Sequence, residues 1–380
     1  MNGPSSLRSG LNGPKRNNFG ANNGALNGLL NGFINSTQHK YDTWFSYGYF
    51  LHKEGKIGDA IPYYAKSYSV NPRNVWALIN MGVCYRLLEK YDKALIAYKA
   101  AKSHFPDNPV IWNNMGNVYI DKGEYEEAIK CYEYALVLNP GYADAWNNMG
   151  VAKHYMKDMY GAIECFERAL ELNPKHVTAW NNKGNVYADM KAYDAAFECY
   201  REAIKINEQY ALPYYNMGTT CMEIEDYGRA VKNLESAVRV DKNFGEAWNN
   251  LAVAYRETAA GMEEYEARNY IDKATEACKR AIEITRSAKP WNNLGVLMAD
   301  IGNYSEAVEN YRKALDIEPN YAKAYYNLAC AYALMGRRSD AYESLEKALN
   351  LNPRLKEAAR TDKDFSAIAL DDRFRRLVSL

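Results

Sequence analysis

A pair of asparagines follows a tryptophan at five places in the chain. Trp-Asn-Asn begins at Trp112, Trp146, Trp180, Trp248 and Trp291. Asparagine is a mediocre helix former, yet the apolar spacing around each pair predicts a helix. A carboxamide offers an acceptor oxygen and two donor hydrogens without charge. Amides repeated along one surface are therefore able to hold an extended polypeptide by its backbone.

The asparagine pairs belong to a longer repeat. From Tyr41 the chain repeats every 34 residues, a period typical of stacked helical hairpins. We place the repeats at 41–74, 75–108, 109–142, 143–176, 177–210, 211–244, 245–287, 288–321 and 322–355. Within 109–142 the recurring residues are Trp112, Met115, Gly116, Tyr119, Gly123, Tyr125, Ala128, Tyr132, Ala135 and Pro140.

The repeat predicts two packed helices. Trp112 and Met115 lie three apart and share one helical face. Gly116 and Ala128 are small where the two helices approach closely, and Pro140 ends the second helix. One helix pair cannot cover its own apolar faces, so neighbouring pairs stack. We expect an aromatic stripe to form the packing between helices: Tyr64, Tyr98, Tyr132, Phe166, Tyr200 and Tyr311.

The motif Trp-x-x-Leu-Gly-x-x-Tyr, then Ala-x-x-x-Tyr/Phe-x-x-Ala, then Pro resembles the tetratricopeptide repeat. The resemblance covers about 315 of the 380 residues. It implies an all-α fold: a right-handed superhelical solenoid of about nine helix-turn-helix repeats with a C-terminal capping helix. In such arrays the first helix of each pair lines the concave side.

That register predicts a peptide-binding groove lined by asparagines. The second asparagine recurs in eight repeats, and the ladder resembles the repeat domain of O-linked N-acetylglucosamine transferase and the amide-lined grooves of importin-like solenoids. The alternative is that these asparagines are merely solvated. The predicted groove residues are Asn80, Asn113, Asn114, Asn117, Asn147, Asn148, Asn181, Asn182, Asn185, Asn216, Asn249, Asn250, Asn292, Asn293 and Asn327.

The same register argues against one kind of ligand. Related cofactors of heat-shock chaperones grip a C-terminal carboxylate through a lysine on the first helix. No repeat has a lysine there: the residues are Phe45, Ile79, Asn113, Asn147, Asn181, Tyr215, Asn249, Asn292 and Tyr326. Polar positions a turn later, including Asp121, His154, Asp189, Arg256 and Asp300, are modestly acidic in the middle repeats and favour a basic or neutral peptide.

Three segments depart from the repeat. Residues 1–40 hold nine asparagines, seven glycines and no acidic residue, which predicts a disordered tail. Repeat 245–287 is nine residues longer than the others, and we expect one or both of its helices to run long. Residues 356–380 keep Phe365, Ile368 and Phe374 at helical intervals and predict cap helices over the last repeat.

Composition limits the partners. Lysine plus arginine equals aspartate plus glutamate at 47 each, which gives no reason to expect nucleic acid. No apolar run is long enough for membrane insertion. The seven cysteines form no Cys-x-x-Cys, so we expect a reducing, cytoplasmic location. Cys131, Cys165 and Cys199 recur one repeat apart, too far to share a zinc ion.

No catalytic, metal-binding or cofactor-binding pattern is found, so we expect no enzyme activity, metal or cofactor. The first hypothesis is a scaffold or adaptor that binds an extended segment of a partner protein in the asparagine-lined groove. The alternative is a structural component of a larger assembly that uses the convex face, the edges or the insertion at 256–274. Two further possibilities are that the chain forms a homo-oligomer and that the N-terminal tail binds in a groove as a self-ligand.

Overall fold

The computed structural model describes residues 43–260 and 262–379, and this part of the chain is all-α, as predicted. It contains twenty α-helices and one 3-10 turn, and within the described ranges there is no β-strand. The predicted tail at 1–40 lies outside the described residues. Residues up to 207 form one compact unit and residues from 208 form a second.

The first unit consists of five helix pairs, each packed on the next. Its helices are α1 Thr43–Lys53, α2 Ile57–Val70, α3 Val75–Leu87, α4 Tyr91–His104, α5 Pro109–Lys122, α6 Tyr125–Leu138, α7 Ala143–Tyr155, α8 Met159–Leu172, α9 Val177–Asp189 and α10 Tyr193–Ile206.

The second unit consists of four helix pairs followed by a short C-terminal segment. Its helices are α11 Ala211–Glu223, α12 Tyr227–Val240, α13 Gly245–Ala259, α14 Glu264–Thr285, α15 Ala288–Asp300, α16 Tyr304–Ile317, α17 Ala322–Leu334, α18 Arg338–Leu351, α19 Leu355–Thr361 and α20 Asp372–Val378.

Each helix pair of the first unit closes around an aromatic ring that meets a glycine. Tyr132 on α6 is fully buried, and a Cβ atom added to Gly116 on α5 would lie 2.5 Å from its ring. Ala128 is also fully buried in the same interface. The predicted aromatic core is confirmed, because its members are at most 2% exposed: Tyr64, Tyr98, Tyr132, Phe166, Tyr200 and Tyr311.

The extra residues of repeat 245–287 lengthen both helices. The second helix, α14, has 22 residues against 14 in most other second helices, and α13 has 15 against 13. The added turns of α14 pack little: Tyr265 is 91% exposed. Tyr270 is the first aromatic residue of α14 that packs on α13, with its ring 5.9 Å from that of Tyr255.

The predicted C-terminal cap is present, but it is broken into short pieces. The 3-10 turn Lys363–Phe365 separates α19 from α20. Phe365, Ile368 and Phe374 are at most 3% exposed, and the Phe365 ring packs on Tyr326 of α17 at 5.7 Å. The apolar surface of the last helix pair is therefore covered by residues that share no single helix.

Where a first-helix glycine faces an aromatic ring, we expect it to be required for close packing. Gly116→Ala places a methyl group inside the rigid Tyr132 ring, so we expect a loss of about 1–3 kcal/mol in the free energy of unfolding. Gly58→Ala is the control, because a Cβ there meets nothing within 4 Å. Thermal unfolding followed by circular dichroism checks this, and equal melting temperatures for the two variants would contradict the packing account.

Candidate functional site

The predicted groove asparagines bond mainly to one another. We call the amides of the Trp-Asn-Asn pairs and their equivalents the amide ladder. In the first unit, Asn148 Nδ2 donates to Asn113 Oδ1 of the preceding repeat at 3.0 Å. Asn182 Nδ2 donates in the same way to Asn147 Oδ1 at 3.1 Å. Within a repeat, Asn147 Nδ2 donates to Asn148 Oδ1 at 3.1 Å, so the bonds form a continuous chain.

The second unit has the same bonds between repeats, except that a tyrosine hydroxyl takes the place of one acceptor amide. Where Tyr215 replaces the first asparagine, its hydroxyl oxygen accepts instead, at 3.1 Å. Each bond again joins the second residue of one pair to the first residue of the preceding pair. The bonds between repeats are Asn250 to Tyr215 at 3.1 Å, Asn293 to Asn249 at 2.9 Å and Asn327 to Asn292 at 2.9 Å.

The ladder weakens at its beginning, where an apolar residue replaces an acceptor. Ile79 occupies the position in its repeat that Asn113 holds in the next. The Asn114 Nδ2 atom is buried without a hydrogen-bond partner. Asn80 instead donates to the Trp76 backbone carbonyl at 2.9 Å and is 1% exposed. The structure therefore places Asn80 away from the ladder bonds.

The predicted groove amides differ in their access to solvent. Those that are at most 8% exposed are Asn80, Asn113, Asn114, Asn147, Asn148, Asn181 and Asn292. Those that are half-buried are Asn117, Asn182, Asn185, Asn216, Asn249, Asn250, Asn293 and Asn327. A carboxamide has two donor hydrogens and two lone pairs, and the Asn148 amide spends one of each on the ladder. Its other hydrogen and lone pair take part in no ladder bond.

Asn117 and Asn185 play a different role from the ladder. Each side-chain oxygen accepts a hydrogen bond from the core tyrosine of its own repeat: Tyr132 at 2.8 Å and Tyr200 at 2.9 Å. Burial raises the pKa of Tyr132 well above its ordinary value, so this hydroxyl remains a donor. Tyr98 has no such acceptor, and its hydroxyl is buried without a partner.

One turn further along the first helices, charged residues pair across repeats. Arg86 lies 3.2 Å from Asp121 in the first unit, and His154 Nε2 lies 2.9 Å from an Asp189 oxygen. Burial raises the pKa of Asp121, and the Arg86 guanidinium opposes that shift. In the second unit Arg256 pairs with Asp300. The carboxylates of Asp121 and Asp300 thus face arginines, and the Lys157 ammonium lies 3.9 Å from Asp189.

An aromatic pair interrupts this charged row in the first unit. Tyr155 follows Asn148 by two helical turns and so lies on nearly the same side of α7. Its ring stacks on Tyr125 with a centroid distance of 5.1 Å and an angle of 11°. Tyr155 is also 43% exposed. This stack was not predicted from the sequence, because it joins residues from different repeats.

The tryptophans before the asparagine pairs hold the turns between repeats. In four of the five motifs the indole Nε1 donates to the backbone carbonyl six residues earlier, a contact that the sequence did not predict. The bonds run from Trp112 to Pro106, Trp146 to Pro140, Trp180 to Pro174 and Trp248 to Lys242, at 3.0–3.1 Å. This bond fixes the start of each first helix, and so it sets where the following asparagines point.

Lys183, which replaces an apolar residue of the sister repeats, is accommodated locally. Its Nζ atom lies 2.8 Å from a Glu167 oxygen, and the side chain is 13% exposed. The ammonium also lies 5.9 Å from the centre of the Trp180 ring and 5.7 Å from that of Tyr187. These contacts satisfy the charge without a chemical role for the amine.

Within the described ranges, one group of side chains brings potential metal ligands together. Cys330, Asp362 and Asp364 have ligand atoms within 4.8 Å of one another. Asp362 is already engaged, because its Oδ1 accepts the Asp364 backbone N–H and its Oδ2 accepts from Tyr326 at 2.7 Å. Cys330 Sγ lies 3.8 Å from the same oxygen. The cluster joins the C-terminal cap to α17.

All seven cysteines are free and buried. Burial raises the pKa of Cys131 to about 12 and the pKa of Cys165 and Cys199 to about 11. A thiol reacts as its thiolate, and raised pKa values keep these side chains protonated at pH 8. We therefore expect almost no rapid reaction of the folded chain with Ellman's reagent, and seven equivalents after unfolding in guanidinium. A fast-reacting thiol in the native chain would contradict this.

The ladder bonds are expected to contribute to stability. Asn148→Ala leaves the Asn113 oxygen and one Asn147 donor without partners, so we expect a loss of about 1–3 kcal/mol. Asn114→Ala is a matched control, since both side chains are 8% exposed. The Asn114 donor is already unpaired, so its removal is expected to cost about 0–1 kcal/mol. Urea unfolding midpoints measure both, and equal losses would show that the ladder bonds contribute nothing.

No helix among the described residues combines the length and the apolar character needed to cross a membrane.

Two solved structures are similar to this chain. The crystal structure of MamA is 26% identical over 44% of this chain and 97% of that chain, with a TM-score of 0.37. The structure of YrrB, described as a TPR protein with an unusual peptide-binding site, is 24% identical over 52% of this chain and 96% of that chain, with a TM-score of 0.41. No curated protein matches the chain significantly.

Family models match the helix pairs. The model described as TPR repeat matches residues 116–157 and 298–336. Two models described as tetratricopeptide repeat match 75–108, 143–176, 177–210 and 322–355, and 41–74 and 212–244. Together these ranges cover more than half of the 380 residues, and they fall on the helix pairs described above. The chain therefore belongs to the tetratricopeptide repeat family.

Proposed function

We propose that this protein is an adaptor without catalytic activity of its own, which binds an extended segment of a partner protein along the amide ladder. Tetratricopeptide repeat proteins are generally non-catalytic scaffolds for protein interactions. The finer proposal is supported by the chain of amide bonds in the first unit and by the repeat-to-repeat amide bonds within the second, which align asparagines from successive first helices of each unit.

The ladder bonds prepare the amides for a ligand. A free asparagine rotates its amide, and ordering it on binding costs entropy. Here the half-buried Asn182 donates through its nitrogen to Asn147 and accepts through its oxygen from Asn181. One donor hydrogen and one lone pair remain, and they match the N–H and C=O of a peptide in its extended form. The preorganised amides bind without that entropic cost.

Access to solvent decides which amides would touch the ligand. Asn147 and Asn148 are nearly buried, so their role is mainly to orient their neighbours. The half-buried amides of Asn182 in the first unit and of Asn250 and Asn293 in the second are better placed to contact a peptide. Since the nearby carboxylates of Asp121, Asp189 and Asp300 lie within 4 Å of an arginine or a lysine, a segment with little net charge fits best.

A second candidate is assembly through the outer surfaces, and exposed apolar side chains favour it. On second helices of the first unit, Tyr160 and Val137 are each 78% exposed. In the insertion of the second unit, Tyr265 is 91% exposed. Large apolar side chains at the surface often mark protein contacts. In this case the protein would be a structural component of a larger assembly, and the ladder would serve stability alone.

Site-specific photo-crosslinking in the native cell separates the two candidates. A benzophenone amino acid replaces Tyr155, beside the ladder, or Tyr160, on the outer surface, and both positions are exposed. We expect the Tyr155 position to form adducts with a partner protein, because an extended ligand on the ladder passes that ring. Adducts from Tyr160 with none from Tyr155 would favour outer-surface assembly and contradict the ladder proposal.

Alanine variants then test the amides themselves. Asn148→Ala with Asn182→Ala is expected to reduce the Tyr155 adduct at least tenfold. Asn139→Ala with Asn173→Ala is the matched control, because these asparagines follow the second helices of the same region and bond only to local backbone N–H groups. Circular dichroism verifies that both double variants fold. An adduct that survives the ladder substitutions would refute binding through the amides.

A further inference from the structure

The first helix pair exposes an aromatic face. Trp44, Tyr47 and Phe50 on α1 are 42%, 47% and 53% exposed. Tyr63 of α2 joins them, with its ring 4.6 Å from Tyr47 and 6.0 Å from Trp44. We call these four residues the aromatic face. Four clustered rings make a large apolar surface to leave in water.

In later repeats the same positions are covered. The residues equivalent to Tyr47 include Met115 and Met149, which are 4% and 6% exposed. Those equivalent to Phe50 include Val118 and Ala152, which are fully buried. The helix pair that precedes each of them in the sequence packs on this surface. The aromatic face is therefore the place where a preceding helix would lie, and an open array end requires a cap.

A suitable occupant stands directly before α1 in the sequence. Apolar residues recur at i, i+3, i+4, i+7 and i+8, the spacing of one helical stripe: Leu26, Leu29, Leu30, Phe33 and Ile34. No charged residue stands between Asn17 and Gln38, so packing this stretch on rings would desolvate no charge.

The connection between residues 26–34 and α1 is long enough to reach the aromatic face and short enough to hold the segment near it. Eight residues separate Ile34 from Thr43, and they reach about 26–29 Å when extended. Nine residues in a helix span about 13 Å, close to the length of the 11-residue α1. A connection of this length favours an antiparallel neighbour. Ile34 would then lie near the beginning of α1.

We propose that residues 26–34 pack as a helix on the aromatic face and cap the repeat array from within the same chain. The two Asn-Gly steps in this stretch make it a poor helix alone. It would form its helix only against the aromatic face, where the short tether provides a high effective concentration. This cap is independent of any ligand at the amide ladder.

Disulfide trapping in the full chain tests the cap. Ser46 is exposed on α1 beside Tyr47, so Ser46→Cys preserves the aromatic face. Paired with Ile34→Cys, it is expected to form an intramolecular disulfide at a rate that does not depend on protein concentration. The native cysteines do not compete, because all seven are buried.

The control is Asn35→Cys with the same partner cysteine. Asn35 is one residue closer in sequence, but it lies on the opposite side of the helical stripe. A freely moving tail would crosslink both variants at similar rates, whereas the cap predicts at least tenfold faster closure from position 34. Equal rates overturn the proposal. So does a covalent dimer that grows with concentration, since the face would then belong to a second copy.

Hydrogen exchange gives a second readout that needs no crosslink. Leu29→Asp with Phe33→Asp places charges on the stripe, and we expect amides of residues 43–53 to exchange at least tenfold faster. Asn31→Asp with Asn35→Asp adds the same charge away from the stripe and is expected to leave exchange unchanged. Unchanged protection in the first variant, or equal acceleration in both, overturns the cap.

Discussion

The contact between a glycine and an aromatic ring, present in every helix pair of the first unit, governs how that unit is built. With no Cβ on Gly116, α5 approaches the Tyr132 ring so closely that any side chain there would overlap it. The same contact recurs at Gly82 with Tyr98, at Gly150 with Phe166 and at Gly184 with Tyr200. Since each pair closes to nearly the same distance, successive first helices stack in a constant register. Only in that register do carboxamides one repeat apart come within hydrogen-bond distance.

The bonds of the amide ladder both connect neighbouring repeats and orient the amides. Asn148 ties its repeat to the preceding one through Asn113. The same bonds fix the direction of each amide, which a free side chain at the surface would not do. Substitution of Ile79 for the first asparagine shows the cost of a missing partner: Asn114 keeps a buried donor with nothing to bond. A binding surface assembled this way is stiff, because its side chains belong to the framework of the fold.

Much of the fold could be predicted from the sequence, because it depends on spacing. The 34-residue period indicated helix pairs, and the recurring small and aromatic residues indicated which side chains pack between them. The bonds among side chains could not be predicted. Whether the Asn147 amide faces solvent or a neighbouring amide depends on small shifts of the first helices, and residue spacing does not specify such shifts. The bond from Trp146 to the Pro140 carbonyl and the bond from Tyr132 to Asn117 were missed for the same reason.

The cap at the C-terminal end shows a further limit. Helical spacing of Phe365, Ile368 and Phe374 identified residues that cover the last pair, and all three are buried. It did not reveal the 3-10 turn Lys363–Phe365. Asp362 begins this turn by accepting a hydrogen bond from the Asp364 backbone N–H. Apolar spacing reports which residues face the core, whereas local hydrogen bonds from short polar side chains decide where the helix breaks.

A double-mutant cycle between Asn113 and Asn148 tests the central claim most directly. If their amides bond across repeats as the 3.0 Å contact indicates, the loss of unfolding free energy in the double alanine variant should fall short of the sum of the single losses by about 0.5–1.5 kcal/mol. Losses that add within about 0.3 kcal/mol would mean that the two side chains act independently. Neighbouring repeats would then be held together without the ladder, and its amides would have no fixed orientation to offer a ligand.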